Sequence, residues 1–330
     1  MQIVDRKFLN VETPTCHASS IVFFKNEPIY TWFGGTREGL PDSTVYIQFR
    51  NKVITIGFKQ FAQWNPILFS YKKELFLFIK VGKFCDSWQT FIYNISNIFE
   101  EDFDLFSIDP QILPAGLNGP TKSKPIIDDR CIYCGSSTET FCNWTSTIEV
   151  YKIENGQFAI DYRTLPLTVE NIMYQDIYGR DKLTSGIIQP SLWVSKIKSK
   201  KVFHAFFRSS RGLGKIYHSF WDSREDKMEW SKPQATKLPN PNSGIDTVFY
   251  DGRLFLVYNP SEKCRYPLVI HELNEEFEVK DELIITEKIG INEKVHSNEL
   301  SYPYMIEHGG KLYLTYTYGR TQIETVEIGI

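Results

Sequence analysis

The chain has 330 residues, 42% of them hydrophobic and 23% charged, with a formal net charge of −3. That composition is globular and can fill a large core, and with no long run of one sign it lacks the basic face of a nucleic-acid binder. Aromatic content is 15%, with 24 Phe and 18 Tyr, which favours pleated, half-buried surfaces and hence β structure.

The first ten residues, MQIVDRKFLN, lack the apolar core of roughly 7–15 residues that marks a secretory signal. No stretch approaches the roughly 18 apolar residues needed to span a bilayer. The chain therefore reads as cytoplasmic, unless a membrane-protein partner holds it elsewhere.

A hairpin whose second strand is apolar and follows a short polar turn recurs six times. Its members are Pro28–Gly35, Glu74–Gly82, Arg130–Ser137, Lys201–Ser210, Gly252–Pro260 and Gly310–Arg320. Their starts fall roughly 45–70 residues apart, in the range of propeller blades. An apolar run precedes each: Ser20–Phe24, Pro66–Ser70, Lys124–Ile127, Ile187–Val194, Thr247–Tyr250 and Tyr304–Glu307. Further strand-like runs follow the first five, at Val45–Phe49, Thr90–Ile95, Ser146–Ile153, Lys215–Phe220 and Leu268–Leu273. Several short strands per unit predict an all-β, six-bladed β-propeller spanning residues 1–330. The last unit, ending at Glu324–Ile330, is one strand short, and Gln2–Phe8 can close the ring. Helical periodicity is scarce; Ile95–Phe106 reads as one short helix or a loop.

Six cysteines are scattered without a disulfide pattern. Cys131 and Cys134 form a lone CxxC, but residues three apart in a strand point to opposite faces. They read as buried free thiols. The sequons at Asn94 and Asn143 carry no weight without secretion, and the Lys196–Lys201 stretch (KIKSKK) reads as a solvated hairpin tip. His204, His218, His271, His296 and His308 have no metal-ligand spacing, and no phosphate loop, zinc signature or dinucleotide fingerprint is present. No metal or cofactor is expected.

Ser223–Trp230 (SREDKMEW) has the spacing of an Asp box, S-x-D-x-G-x-T-W, with Glu225, Lys227 and Glu229 substituted. Glu154 and Gly156 form a fainter trace. Together with TCHASSI (15–21), FGGTREGLPD (33–42), NGPTKSKPI (118–126), SSTE (136–139), IIQPSL (187–192), LPNPNSGID (238–246), YNPSEKCRYPL (258–268) and ELSYPYMI (299–306), these stretches resemble the sialidase superfamily over nearly the whole chain. The likeness is closest to its divergent sialidase-like members.

The resemblance implies an exo-glycosidase that removes a terminal α-linked acidic sugar. Three arginines from different blades would hold the sugar carboxylate, because a planar guanidinium meets it with two parallel hydrogen bonds. By order and motif, Arg208 (FHAFFR) and Arg265 (CRYPL) resemble two of them, and Arg320 supplies a third cation at a strand end. Tyr302 (LSYPY) resembles the nucleophile. A Tyr nucleophile avoids repulsion beside an anionic anomeric centre, an exception to two-carboxylate glycosidases. Arg37 and Asp42 resemble the loop arginine and the acid/base aspartate, with Glu38 beside them as a binding candidate.

Two departures alter the pattern. His17 stands where the first carboxylate-binding arginine is expected, and Gln189 stands where a Glu should activate the tyrosine. Gln cannot accept a proton, so Glu139 or His17 becomes the replacement base. Lys122 and Lys124 add positive charge near the expected mouth, and Asn242 and Asp246 sit in a polar cluster that either forms a turn or lines the site. These departures bring related ulosonic acids such as Kdo beside sialic acid as substrates. The partner is then a glycan or glycoconjugate, with no nucleic acid. The alternatives are a carbohydrate-binding propeller that has lost catalysis, or a hydrolase subunit completed by a membrane partner.

Overall fold

The structure is a computed structural model that describes residues 1–57, 60–197, 200–223, 228–291 and 297–330. Six four-stranded antiparallel sheets form a ring of blades, each running outward from an inner strand. The inner strands are Thr15–Phe24, Gln63–Tyr71, Ile126–Asp128, Ile187–Ile197, Asp246–Tyr250 and Leu300–His308. The second strands are Glu27–Gly35, Glu74–Val81, Cys131–Glu139, Lys200–Ser209, Arg253–Tyr258 and Lys311–Tyr318. Blades are numbered one to six in that order, so all six expected hairpins are present.

The second strands are legible because each blade is covered on both faces. In Glu74–Val81, Leu75, Leu77 and Ile79 pack into one buried cluster with Ile29, Val45 and Ile47 of blade one. Phe76 and Phe78, between them in sequence, point the other way and join Ile132 and Cys134 of blade three. Blade four repeats the division, with Phe203, Ala205 and Phe207 on one side and Phe206 on the other. Strands buried on both faces read as continuous apolar runs rather than alternating ones. Each large side chain so buried contributes about 1.5–3 kcal/mol, so the interfaces between blades are the core.

The ring closes as expected. Gln2–Phe8 is the outer strand of blade six, paired antiparallel to Gln322–Gly329 from Gln2 opposite Gly329 to Phe8 opposite Glu324. Arg6 fastens this seam through a two-pronged contact with Glu324, Nε to Oε1 at 2.7 Å and Nη2 to Oε2 at 2.8 Å.

Three details differ from or extend the expectations. Residues 95–104 take the loop reading of the two expected there, and the only helical elements among the described residues are 3-10 turns at Cys85–Ser87 and Leu105–Ser107. A small hairpin, Met173–Gln175 paired with Asp181–Leu183, stands between blades three and four. Ser223 and Trp230 are the first and last residues of the expected Asp box, and Trp230 packs against the cluster of blades three and four. Glu225 and Lys227 lie outside the described residues, as do His296 and positions 198–199 of the KIKSKK tip. All six cysteines are free, and Cys131 and Cys134 belong to clusters on opposite faces of their blade. No described helix is long and apolar enough to cross a membrane.

Candidate active site

The site begins with one backbone irregularity repeated around the ring. Pairing register slips between His17 and Ser20, Trp64 and Ile67, Ile188 and Ser191, and Ser301 and Tyr304. Within each slip one residue adopts a left-handed conformation: Ala18 (φ 50°), Asn65 (40°), Gln189 (54°) and Tyr302 (52°). Bulges re-aim side chains and cluster beside active sites. A Gln or Tyr at positive φ is strained, and such strain concentrates at functional positions. Three of the four left-handed residues precede a proline, Pro66, Pro190 or Pro303.

Two of these residues, Gln189 and Tyr302, meet at the axis. Gln189 Nε2 donates to the Tyr302 hydroxyl at 3.1 Å and to Glu139 Oε1 at 3.2 Å. Its Oε1 accepts from Arg208 Nη1 at 2.9 Å, which fixes the amide orientation, because a guanidinium can only donate. The same Arg208 Nη1 donates to the Tyr302 oxygen at 2.8 Å. Tyr302 is 9% exposed and Arg208 6%. The phenolic oxygen therefore receives two donors in a largely buried setting, an arrangement that stabilises negative charge on it.

The other arginines extend the cluster. Asn242, left-handed with φ 61°, accepts from Arg208 Nε on its side-chain oxygen at 2.9 Å and from Arg265 Nη2 on its main-chain oxygen at 2.8 Å. Glu299 then joins Arg265 (2.7 Å) to Arg320 (3.0 Å), and Arg320 Nη1 reaches Glu38 Oε2 at 2.5 Å. Burial alone would raise the Glu299 carboxyl, but Arg265 and Arg320 hold it well below the carboxylate range. Burial pushes the Arg265 guanidinium down, against the pull of Glu299. Arg208 leaves the end of Lys200–Ser209, and Arg320 follows Lys311–Tyr318. Arg265 instead lies in the loop between Arg253–Tyr258 and Leu268–Leu273 rather than at a strand end. Its carbonyl accepts from Leu300 N at 2.9 Å, which ties that loop to blade six.

His17 packs against the Tyr302 ring, centroids 4.1 Å apart, with Nδ1 2.9 Å from Thr317 Oγ1 and Nε2 buried without a partner. Burial first, then the charges of Arg320, Arg265 and Arg208, hold its pKa well below the usual value, so the ring is neutral. Glu139 moves the other way. Burial raises its carboxyl despite the pull of Arg208 and the hydrogen bond from Gln189.

Asp42 is exposed on the loop after Glu27–Gly35, and its Oδ2 accepts from Thr36 N at 2.8 Å. The Thr36 hydrogen bonds hold its pKa below the ordinary value. Arg37 is exposed on the same loop.

Lys122, Lys124 and Asp246 require a correction. They do not line the mouth but fill the channel beneath it. Lys122 Nζ donates to the carbonyls of Ile245 (2.7 Å) and Pro303, and burial pushes its pKa down to about 7. Lys124 Nζ donates to Asp246 Oδ2 at 2.9 Å and to Thr247 O at 2.7 Å. Asp246 also takes Ser191 Oγ at 2.8 Å and Met305 N at 2.8 Å. With two hydrogen bonds each to protein groups, the two lysines brace the floor under Tyr302. Asn242, expected in the same polar cluster as Asp246, is in the site itself.

Sequence reasoning did not select Glu299 or Trp144. Glu299 lies three positions before Tyr302 in the quoted ELSYPYMI stretch, and a carboxylate is what separates two adjacent guanidiniums. Trp144 lies under the Arg208 guanidinium, 5.7 Å from charge to ring centroid, in reach of a cation–π contact.

Six blades around an axial cluster rich in arginine define a sialidase-like β-propeller. The chain belongs to the BNR repeat-like domain family, which matches residues 29–314. Among solved structures it is similar to Trypanosoma rangeli sialidase in complex with a difluorinated nononic acid, with 9% identity, a TM-score of 0.62, and coverage of 98% of this chain and 58% of that one. The chain thus spans a little over half the length of that sialidase. It is similar also to a subtype N10 neuraminidase-like protein of A/little yellow-shouldered bat/Guatemala, at 8% identity and TM-score 0.55, covering 99% of this chain and 98% of that one. A Penicillium chrysogenum α-L-arabinanase matches at 11% identity and TM-score 0.54, covering 100% and 99%. No curated protein matches by sequence.

Proposed function

We propose that the protein is an exo-glycosidase that hydrolyses a terminal α-linked acidic sugar, sialic acid or a related ulosonic acid such as Kdo, from a glycan. The observation that carries this reading is the convergence of three guanidiniums from blades four, five and six around Tyr302, with Arg208 donating to its hydroxyl at 2.8 Å. An anionic sugar would present its carboxylate to Arg208, Arg265 and Arg320, and Tyr302 would attack or stabilise the anomeric carbon. In this reading Arg320 supplies the positive charge that His17 cannot.

The proton on Tyr302 has to leave as the oxygen reacts. Gln189 only donates to it and cannot relay a proton, so acceptance falls to His17, whose neutral ring packs on Tyr302 with Nε2 unpaired, or to Glu139 if the Gln189 amide swings aside and lets that carboxylate reach the phenol. Asp42 acts on the leaving group from its exposed loop only if its capping bond to Thr36 opens, since in place its carboxyl is held ionised.

The test is incubation with α-sialosides, with Kdo-bearing oligosaccharide and with neutral arabino-oligosaccharide, followed by detection of released monosaccharide. Release from either acidic substrate supports the reading. Activity confined to the neutral glycoside refutes it. Binding of acidic sugar without release favours the alternative of a carbohydrate-binding propeller, for which the specific observation is Gln189 in place of a base.

A further inference from the structure

One concavity is lined by residues that adjoin the axial cluster in the chain and take no part in the chemistry above. It is a groove of about 530 Å³ between the Met173–Gln175/Asp181–Leu183 hairpin and the loops that carry Arg211 and Lys263. That volume is within the usual range for small-molecule sites, roughly 300–1,000 Å³. Its lining is joined to the site through the chain itself. Arg211 follows Arg208 by three residues, Lys263 precedes Arg265 by two, and Pro241 of the groove adjoins Asn242, which holds both arginines.

The groove has an unbalanced charge. Four charged residues line it, and its two carboxylates are occupied by cations that are not part of the lining. Asp176 is paired with Arg180 at 2.7 Å, and Glu262 with Lys215 at 2.6 Å. Arg211 and Lys263 are exposed, and among the described residues neither side chain has an ion-pair or hydrogen-bond partner. The wall is also built for close approach. A Cβ at Gly212 would lie 2.5 Å from the Tyr174 ring, so glycine there lets the hairpin lie against the Arg211–Gly212 turn and closes the groove on that side.

We infer that this groove is the leaving-group subsite and that it selects a substrate whose next unit beyond the cleaved bond is itself anionic, carrying a carboxylate or a phosphate. The inference rests on the acidic-sugar reading of the axial pocket for the word leaving-group, but the anion affinity of the groove stands on its own residues. Arg211 and Lys263 meet the second anion while Arg208, Arg265 and Arg320 hold the first. Tyr174 offers a flat apolar wall to the ring between them.

The experiment compares the full chain with an Arg211→Ala/Lys263→Ala variant, neither position being part of the axial cluster. Three probes are used. The methyl ketoside of sialic acid fills the axial pocket alone, α2,8-disialic acid adds a carboxylate on the second unit, and inorganic pyrophosphate needs no sugar pocket. At low salt the disaccharide is expected to bind about tenfold tighter than the methyl ketoside, an advantage that is lost in the double variant and in high salt. Pyrophosphate is expected to slow amide exchange in residues 173–183 of the wild type and not of the variant. Pyrophosphate protection without a gain for disialic acid assigns the groove to phosphate. Probes that respond equally in both proteins overturn the inference. Failure of the methyl ketoside to bind, with pyrophosphate protection intact, removes the acidic-sugar reading and leaves the groove standing.

Discussion

Arg208 and Tyr302, from blades four and six and 94 residues apart in the chain, are joined by a 2.8 Å hydrogen bond from guanidinium to phenolic oxygen. The same guanidinium nitrogen fixes Gln189, and its Nε fixes Asn242. Arg208 is therefore the hub through which the tyrosine, the amide and the second arginine share one geometry. Loss of this side chain should affect binding and chemistry together.

Arg208→Ala is expected to lower kcat/KM on an acidic glycoside by at least about a hundredfold, since each charge-assisted hydrogen bond is worth roughly 1.5–3 kcal/mol. Arg208→Lys should rescue little of this, because an ammonium cannot hold Tyr302, Gln189 and Asn242 at once. Steady-state kinetics of both variants decide it. Activity of the lysine variant near wild type would contradict the hub role.

Glu139→Gln should stabilise the protein at neutral pH. The folded-state pKa of Glu139 lies above its ordinary value, so its contribution to stability is fully present below the unfolded pKa and is lost as pH rises through the folded one. The variant should therefore melt higher than wild type at pH 7–8, with the gap closing toward about pH 4. Gln at 139 still accepts from Gln189 Nε2, so packing is kept. If Glu139 is the proton acceptor, turnover falls while the melting temperature rises; melting curves and rates across pH separate the two effects.

Glu299→Gln should do the opposite. This carboxyl is held well below its ordinary range by Arg265 and Arg320 against the cost of burial, so its stabilising contribution is present above the unfolded pKa and lost as pH falls. Removing the charge leaves Arg265 without a counter-charge and Arg320 with Glu38 alone, with an expected loss of about 3–5 kcal/mol. Denaturant unfolding at pH 7 checks the size. A loss that persists undiminished at low pH would point to packing rather than charge.

Removal of residues 1–8 should open blade six. Gln322–Gly329 would become an edge strand with unpaired backbone groups, and such edges template association. Size-exclusion chromatography should show oligomers and thermal unfolding a lower midpoint. Arg6→Ala, which deletes only the clamp on Glu324, should give a smaller loss in the same direction.

Much of the fold was legible because blade centres bury both faces, so FLFIKV and FHAFFR stand out as predominantly apolar runs without strict alternation. The candidate site was legible in part. Arg208, Arg265, Arg320 and Tyr302 were expected in one pocket and are brought together, with His17, Gln189, Glu139, Asn242 and Glu38 around them. Lys122, Lys124 and Asp246 also lie on the axis but a step deeper, and nothing in their sequence spacing sets that depth. Strand alternation assigns a face, and a bulge of one residue reverses the assignment from that point on. Four inner strands carry such a slip next to the site.

By itself the sequence determined the number of blades, the strand that closes them and the residue types available for an anionic ligand, because these follow from repeated apolar runs and local chemistry. Only the tertiary structure decided which charges face the pocket and which brace its floor, and that Glu299 separates Arg265 from Arg320. Those outcomes depend on distances between strands that are tens to hundreds of residues apart, and on left-handed residues whose backbone geometry no composition or period encodes.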